Sequence, residues 1–396
     1  MKIITPSAGT PTRFKDILGG IFGNKKQFEN KLLDFVQNEK ILLTNSGTTS
    51  IWIALEALKK LKPERNEIIL QAYTAPSLIL PIRKAGLKPV LADTSPKTFN
   101  IDFDTFEITE KTLAVMVVHM FGIPLEMDKL RQKIKDSGQD IFLIEDAASS
   151  MGTKIGDSQS GGICDVGVIS FNRGKNYSTL NGGAIFTNNS EVYEICKPKV
   201  EQLKKLTLKE KLIQKFRAIA LALAVRPFFY TLLLKVISRF KYTEIHLDFV
   251  SFEFTDFQGG LGSSQFEIAE EIFEARKKNG DFLIGEFKNF EKIVIPELPK
   301  DTFTCFNQFP LLLKNPKNRE KIVSKILEET QLEVTTLYDR PIHKVSEYEE
   351  FRNSGSEDLF PNSTMFSEKI LLIPIHPLVS QEKLQNAVGI IKREAI

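Results

Sequence analysis

Four short segments carry residue types that could do chemistry. Lys175 stands in the run Ser170-Phe171-Asn172-Arg173-Gly174-Lys175-Asn176, which is followed by Leu180-Asn181-Gly182-Gly183. A lysine in a partly desolvated loop has a lowered pKa and becomes an amine nucleophile toward carbonyls; a solvated surface side chain is the plainer alternative. Glu145 and Asp146 form a carboxylate pair at the end of an apolar run. An unpaired buried charge is costly, so an acid there asks for a metal, an arginine or a protonated ring nitrogen. Asn45-Ser46-Gly47-Thr48-Thr49-Ser50 leads into the apolar stretch IWIALEAL. Small residues at a helix start present free backbone N–H groups to an anion such as phosphate, although plain capping by the serine explains the same residues. Tyr73, in Gln71-Ala72-Tyr73-Thr74-Ala75-Pro76, puts an aromatic ring at another strand end, as packing or as a stacking surface.

The elements that must position these residues are legible between about residues 40 and 190. Strand-like runs occur at 41–44, 67–70, 89–92, 113–119, 141–145, 167–171 and 183–187. They are rich in Val, Ile, Leu and Phe and lack in-out alternation, the pattern of strands buried on both faces of a mainly parallel sheet. Helical patterns fit between several of them, such as TTSIWIALEALKKL and EMDKLRQKIKD. This predicts an α/β, three-layer α/β/α large domain with a mainly parallel seven-stranded sheet over residues 1–265. A small α+β domain is expected over 266–396, with helices over about 256–289, 317–329 and 380–393 and strands near 308–313 and 371–377. All four chemical segments fall at strand carboxyl ends, where open α/β sheets bind ligands.

An anion cradle, an aromatic ring, a strand-end carboxylate and a loop lysine are together the parts that pyridoxal 5'-phosphate needs. The chain resembles the DegT/DnrJ/StrS-type nucleotide-sugar aminotransferases. The resemblance runs through NSGTTSIWIAL, AYTAPSLILPIRKAGLKPVLADTSPKTFNID, VVHMFG, LIEDAA, SFNRGKNYSTLNGGAIFTN, TDFQGGLGSSQF and LLIPIHP, in that order. It implies an aspartate-aminotransferase-like fold and a homodimer. The implied reaction moves an amino group, usually from glutamate, onto a keto group of a nucleotide-linked sugar for glycan or secondary-metabolite synthesis. It assigns Lys175 as the lysine that binds the cofactor covalently and shuttles protons. Asp146 is implied as partner of the pyridinium nitrogen, Tyr73 as the stacking ring, and Gly47, Thr48, Thr49 and Ser170 as phosphate ligands. A sugar dehydratase of the same family is the alternative enzyme, and retention of Lys175 argues against it. A degenerate, membrane-associated scaffold is the non-catalytic alternative.

Three positions depart from the family pattern. Ser149 stands where Gln is usual, close to the cofactor. Ser251 stands where the partner subunit usually lends an Asn to the phosphate, and Glu253 replaces an Arg nearby. A reversed charge near an anion site is expected to weaken binding. His119 and His376 lie in matching stretches and are read as structural histidines.

The chain has 396 residues, 42% hydrophobic and 26% charged, with a formal net charge of +3. This balance gives no reason to expect a nucleic-acid partner. Cys164, Cys196 and Cys305 are scattered, so neither a metal site nor a disulfide framework is expected. The first residues have no apolar signal segment, and a cytoplasmic enzyme is expected. Charge is unevenly spread: between Lys197 and Glu244 there are twelve Lys or Arg against three Glu. The same insert, about 197–250, contains AIALALAV and PFFYTLLL, each too short to span a bilayer. Packing against the large domain or a partner subunit, peripheral contact with an anionic membrane through about 200–242, and a lid over a nucleotide diphosphate are the three readings of this insert.

Overall fold

The computed structural model describes residues 3–237, 248–351 and 357–395; part of the basic insert, 238–247, therefore lies outside the described residues. Seven strands build the main sheet: β1 (Lys40–Thr44), β2 (Glu67–Gln71), β3 (Lys88–Ala92), β4 (Thr112–Val118), β5 (Phe142–Asp146), β8 (Val166–Ser170) and β9 (Gly183–Thr187). Between β5 and β8 lie two short strands, β6 (Lys154–Ile155) and β7 (Ser158–Gln159). The order across the main sheet is β1-β9-β8-β5-β4-β2-β3, and only β9 runs antiparallel to its neighbours. Every residue of β4 is buried, which is why its sequence after Thr112 is an unbroken apolar run. Each such Val, Leu or Met contributes about 1.5–3 kcal/mol by leaving water.

Helices cover the sheet and supply the crossovers that parallel strands require. They are α1 (Phe14–Phe22), α2 (Lys25–Val36), α3 (Gly47–Leu61), α4 (Ile79–Lys84), α5 (Met127–Ser137) and α6 (Ser190–Glu201). The basic insert contributes α7 (Leu208–Ala224) and α8 (Pro227–Ile237). The helical stretch expected over 256–289 is two helices, α9 (Asp256–Gln265) and α10 (Ala269–Phe287), separated by a 3-10 turn at Phe266–Ile268. The C-terminal part adds β10 (Ile293–Val294), β11 (Thr302–Phe303), β12 (Phe309–Leu313), α11 (Arg319–Thr330), α12 (Pro361–Lys369), β13 (Ile370–Ile373) and α13 (Gln381–Glu394). β10, β12 and β13 form a second small sheet, and β11 pairs with β6.

We propose the division at residues 265 and 266 as a boundary of organisation rather than a break in the core. Leu42, Ile53 and Val168 of the first part share one continuous apolar cluster with Phe309, Ile322 and Leu371 of the second. The N-terminal residues tie the parts together. Thr5 bridges to Leu332, the Pro6 carbonyl accepts from His376 Nε2, and the Gly9 carbonyl accepts from Arg276.

Candidate active site

Sheet register gathers three of the four segments. β1 and β8 both flank β9, and Thr44 and Ser170 both face Gly183. β5 lies beside β8 with Asp146 opposite Val168. The carboxyl ends of β1, β8 and β5 therefore open at one edge, carrying the Ser46–Ser50 turn, the Lys175 loop and Asp146. The fourth segment, after β2, lies across β4.

Ser46 caps α3, its hydroxyl accepting from the Thr49 amide at 3.1 Å. The Gly47 and Thr48 amides, at the first two helical positions, have no intrahelical acceptor and lie at the positive end of the helix. A Cβ at Gly47 would come 3.0 Å from Cβ of Ser170. Glycine thus lets the helix start sit directly against Ser170. Thr49 Oγ1 and Ser251 Oγ stand 3.3 Å apart across the same cradle. Within one chain Ser251 is held beside Thr49 because the Phe252 amide donates to Asn45 Oδ1 and Asn45 Nδ2 donates to the Val250 carbonyl. Gly47→Ala is expected to lower cofactor affinity about tenfold or more by driving the helix start off Ser170. Equilibrium titration of the cofactor by absorbance checks this.

Adjacent residues on β5 point to opposite faces, and this separates the two carboxylates. Glu145 is completely buried and accepts from His119 Nε2 (3.0 Å), the Gly161 amide (2.6 Å), the Ile163 amide (3.0 Å) and the Ser160 hydroxyl (3.2 Å). His119 Nδ1 accepts from the Leu125 amide, which leaves Nε2 as its N–H. These hydrogen bonds, working against burial, hold the Glu145 carboxyl below its ordinary range. Glu145 and His119 are therefore structural. Asp146, also buried, accepts a single hydrogen bond, from the Ala148 amide, and forms no ion pair with the described residues. Burial raises its pKa, opposed by the Lys175 charge. A desolvated carboxylate with spare acceptor capacity is matched to an incoming cation.

Lys175 sits in the loop 171–182 that reverses the chain from β8 to β9. Gly174 there has φ +83°, the left-handed region that glycine enters freely. The loop is pinned from several sides. Thr10 Oγ1 donates to the Lys175 carbonyl, Asn307 Nδ2 to the Gly174 carbonyl, and Asn176 Nδ2 to the Cys305 and Met151 carbonyls. The Tyr177 hydroxyl donates to the Gly262 carbonyl. Lys175 keeps a partly open path to solvent while densely surrounded by protein atoms. Burial lowers its pKa, and Asp146 opposes the shift. Its Nζ donates to Ser149 Oγ at 3.2 Å, so the residue standing in for the usual Gln orients the amine instead.

Two expectations from sequence are revised. Tyr73 is fully buried, its ring packed against Phe366 and Tyr338 and its hydroxyl donating long bonds to the Thr336 and Tyr338 carbonyls. No face of it is open for stacking. The aromatic ring that stays half-buried beside Asp146 is Tyr338, whose phenol is pushed up by burial and by that carboxylate. Tyr338 lies in an irregular segment with no periodic signal, so sequence reasoning missed it. Glu253 does not burden the cradle: it pairs with Lys211 (3.0 Å) and Lys205 (3.6 Å) and accepts from the Leu206 amide.

This sheet, with a lysine loop, a strand-end carboxylate and an open helix start at one edge, defines the aminotransferase class of α/β enzymes. The chain belongs to the DegT/DnrJ/EryC1/StrS aminotransferase family, whose sequence profile matches residues 20–392. It is 27% identical to the dTDP-4-amino-4,6-dideoxy-D-glucose transaminase of Shigella dysenteriae, over 93% of this chain and 89% of that protein. It is 25% identical to the GDP-4-keto-6-deoxy-D-mannose 3-dehydratase of Yersinia pseudotuberculosis, over 93% and 90%. Among solved structures, Helicobacter pylori PseC, an aminotransferase of pseudoaminic acid biosynthesis, superposes with a TM-score of 0.77 at 19% identity, covering 99% of each chain. That likeness establishes the fold.

Proposed function

We propose that the chain transfers an amino group from glutamate to the keto group of a nucleotide-linked sugar, acting as a homodimer. It is a pyridoxal-phosphate enzyme, and the residues present fit that group. The Gly47 and Thr48 amides with the Thr49, Ser170 and Ser251 hydroxyls would hold the phosphate, and Asp146 would hold the protonated ring nitrogen. Bound there, the cofactor supplies an electron sink for the substrate carbon next to nitrogen. The carrying observation is Lys175, an amine with lowered pKa that shares its site with Asp146, a buried carboxylate forming no ion pair with the described residues.

The lowered pKa leaves Lys175 Nζ readier to take a proton from the donor carbon and return it at the acceptor. Ser149 Oγ holds Nζ in one direction during that exchange. Asp146 stays close enough to keep the site's charge balanced. The second subunit is supported by α1, which exposes Phe14, Leu18, Ile21 and Phe22 on one side while its other side packs on α9. A position at the cytoplasmic face of a membrane belongs to the same proposal and rests on α7.

Holoenzyme mixed with glutamate alone should release 2-oxoglutarate, up to about one equivalent per cofactor, detected by mass spectrometry. Adding a GDP- or dTDP-linked 4-keto-6-deoxy sugar should then yield the amino sugar with turnover. Loss of water from the sugar without amino transfer would replace this reading by the dehydratase one.

A further inference from the structure

The basic insert presents an inverted amphipathic helix. The fully buried positions of α7 are small or polar, Gln214, Ala218 and Ala222 at successive turns, with Leu221 half-buried beside them. Ala218 packs with Leu180, Phe257 and Leu261, and Gln214 accepts from the Thr255 hydroxyl. The other large apolar residues of α7 face outward. Leu208 is 87% exposed, Leu212 54% and Phe216 64%, and Ile219 and Leu223 continue the same stripe. A surface helix ordinarily buries its large apolar stripe and shows its small or polar side to water. Phe228, Phe229 and Leu232 of α8 extend the exposed apolar surface.

Cations rim this stripe. Lys209, Arg217 and Arg226 form no ion pair with any described residue. The only acid between Leu208 and Leu232 is Glu210, which is taken up by the α7 cap at Thr207 and by Lys204.

We propose that α7 lies flat on an anionic lipid bilayer, with Leu212, Phe216, Ile219 and Leu223 in the acyl boundary and Lys209, Arg217 and Arg226 at headgroup phosphates. An apolar centre with a cationic rim is the surface that anionic lipid complements. A second copy is disfavoured on this face, because pairing α7 with itself brings two cationic rims together with no acid but the already paired Glu210 to offset them. The helix is firmly set for such a contact. Glu253 ties Lys205 and Lys211 to the extended segment that also carries Ser251, and Leu180 beneath α7 belongs to the Lys175 loop. No helix among the described residues is long and apolar enough to cross a membrane, so contact is peripheral.

The test is flotation of full-length holoenzyme with vesicles of phosphatidylcholine alone or phosphatidylcholine with phosphatidylglycerol. Wild-type protein should float with the anionic vesicles only, and less so as salt is raised. The pair Leu212→Ser and Phe216→Ser, and separately the pair Lys209→Glu and Arg217→Glu, should each weaken partition about tenfold or more. All four residues are on the outside, so release of 2-oxoglutarate should be unchanged in both variants. Failure to float with anionic vesicles overturns the proposal. So does an apolar-pair variant that floats like wild type but loses its oligomeric mass in light scattering, since a second copy then covers the face.

Discussion

Lys175→Ala is expected to lower amino-group transfer by at least about ten-thousand-fold, because it removes both the nucleophilic amine and the proton carrier. The fold should survive, since the loop is held by Thr10, Asn176, Asn307 and Tyr177 and not by the lysine head. Cofactor should still enter the cradle but be lost on gel filtration. The lysine also carries a stability cost. Burial lowers its folded pKa below the ordinary lysine value, so between the two the unfolded chain binds more protons. Stability of the cofactor-free chain should therefore rise with pH through that window. In Lys175→Met, which keeps the packing volume, this increment should be missing and the melting temperature at neutral pH should be higher. Single-turnover kinetics and melting curves across pH check the two halves separately.

Asp146→Asn is the second large effect. An amide keeps the shape but cannot balance a protonated ring nitrogen, and the rate should fall about a hundred- to a thousandfold. Phosphate contacts and Lys175 are untouched, so cofactor should remain bound and reducible onto the lysine. That separates this variant from Lys175→Ala. The stability signs run opposite to those of lysine. Burial raises the Asp146 pKa, so above the ordinary aspartate value the unfolded chain loses its proton first and stability falls as pH rises. Asp146→Asn should remove that fall, leaving the cofactor-free chain more stable at neutral pH. A variant that is unstable and fully active would contradict the assigned role.

The main sheet was legible because strands buried on both faces carry their burial in composition: all seven runs match strands to within a residue or two. Lys175, Asp146 and the Gly47 turn were legible because each follows such a run. Tyr73 misled for a physical reason. A strand-end aromatic is equally suited to packing, and its neighbours Tyr338 and Phe366 come from residues far away in the chain. The insert's apolar run AIALALAV marks only the C-terminal half of α7. The Thr207–Glu210 capping box, two residues in reciprocal contact, starts α7 at Leu208. Which side of α7 faces out could not be read from spacing, because the buried side is chosen by its fit of Ala218 against Leu180, Phe257 and Leu261.

The central claim is that this edge of the sheet binds pyridoxal phosphate through Lys175. Purified protein loaded with the cofactor, reduced with borohydride and mapped by peptide mass spectrometry tests it most directly. The account predicts one modified site, Lys175, with none in Lys175→Ala and full labelling in Asp146→Asn. Absence of cofactor absorbance, or label scattered over surface lysines, would contradict it.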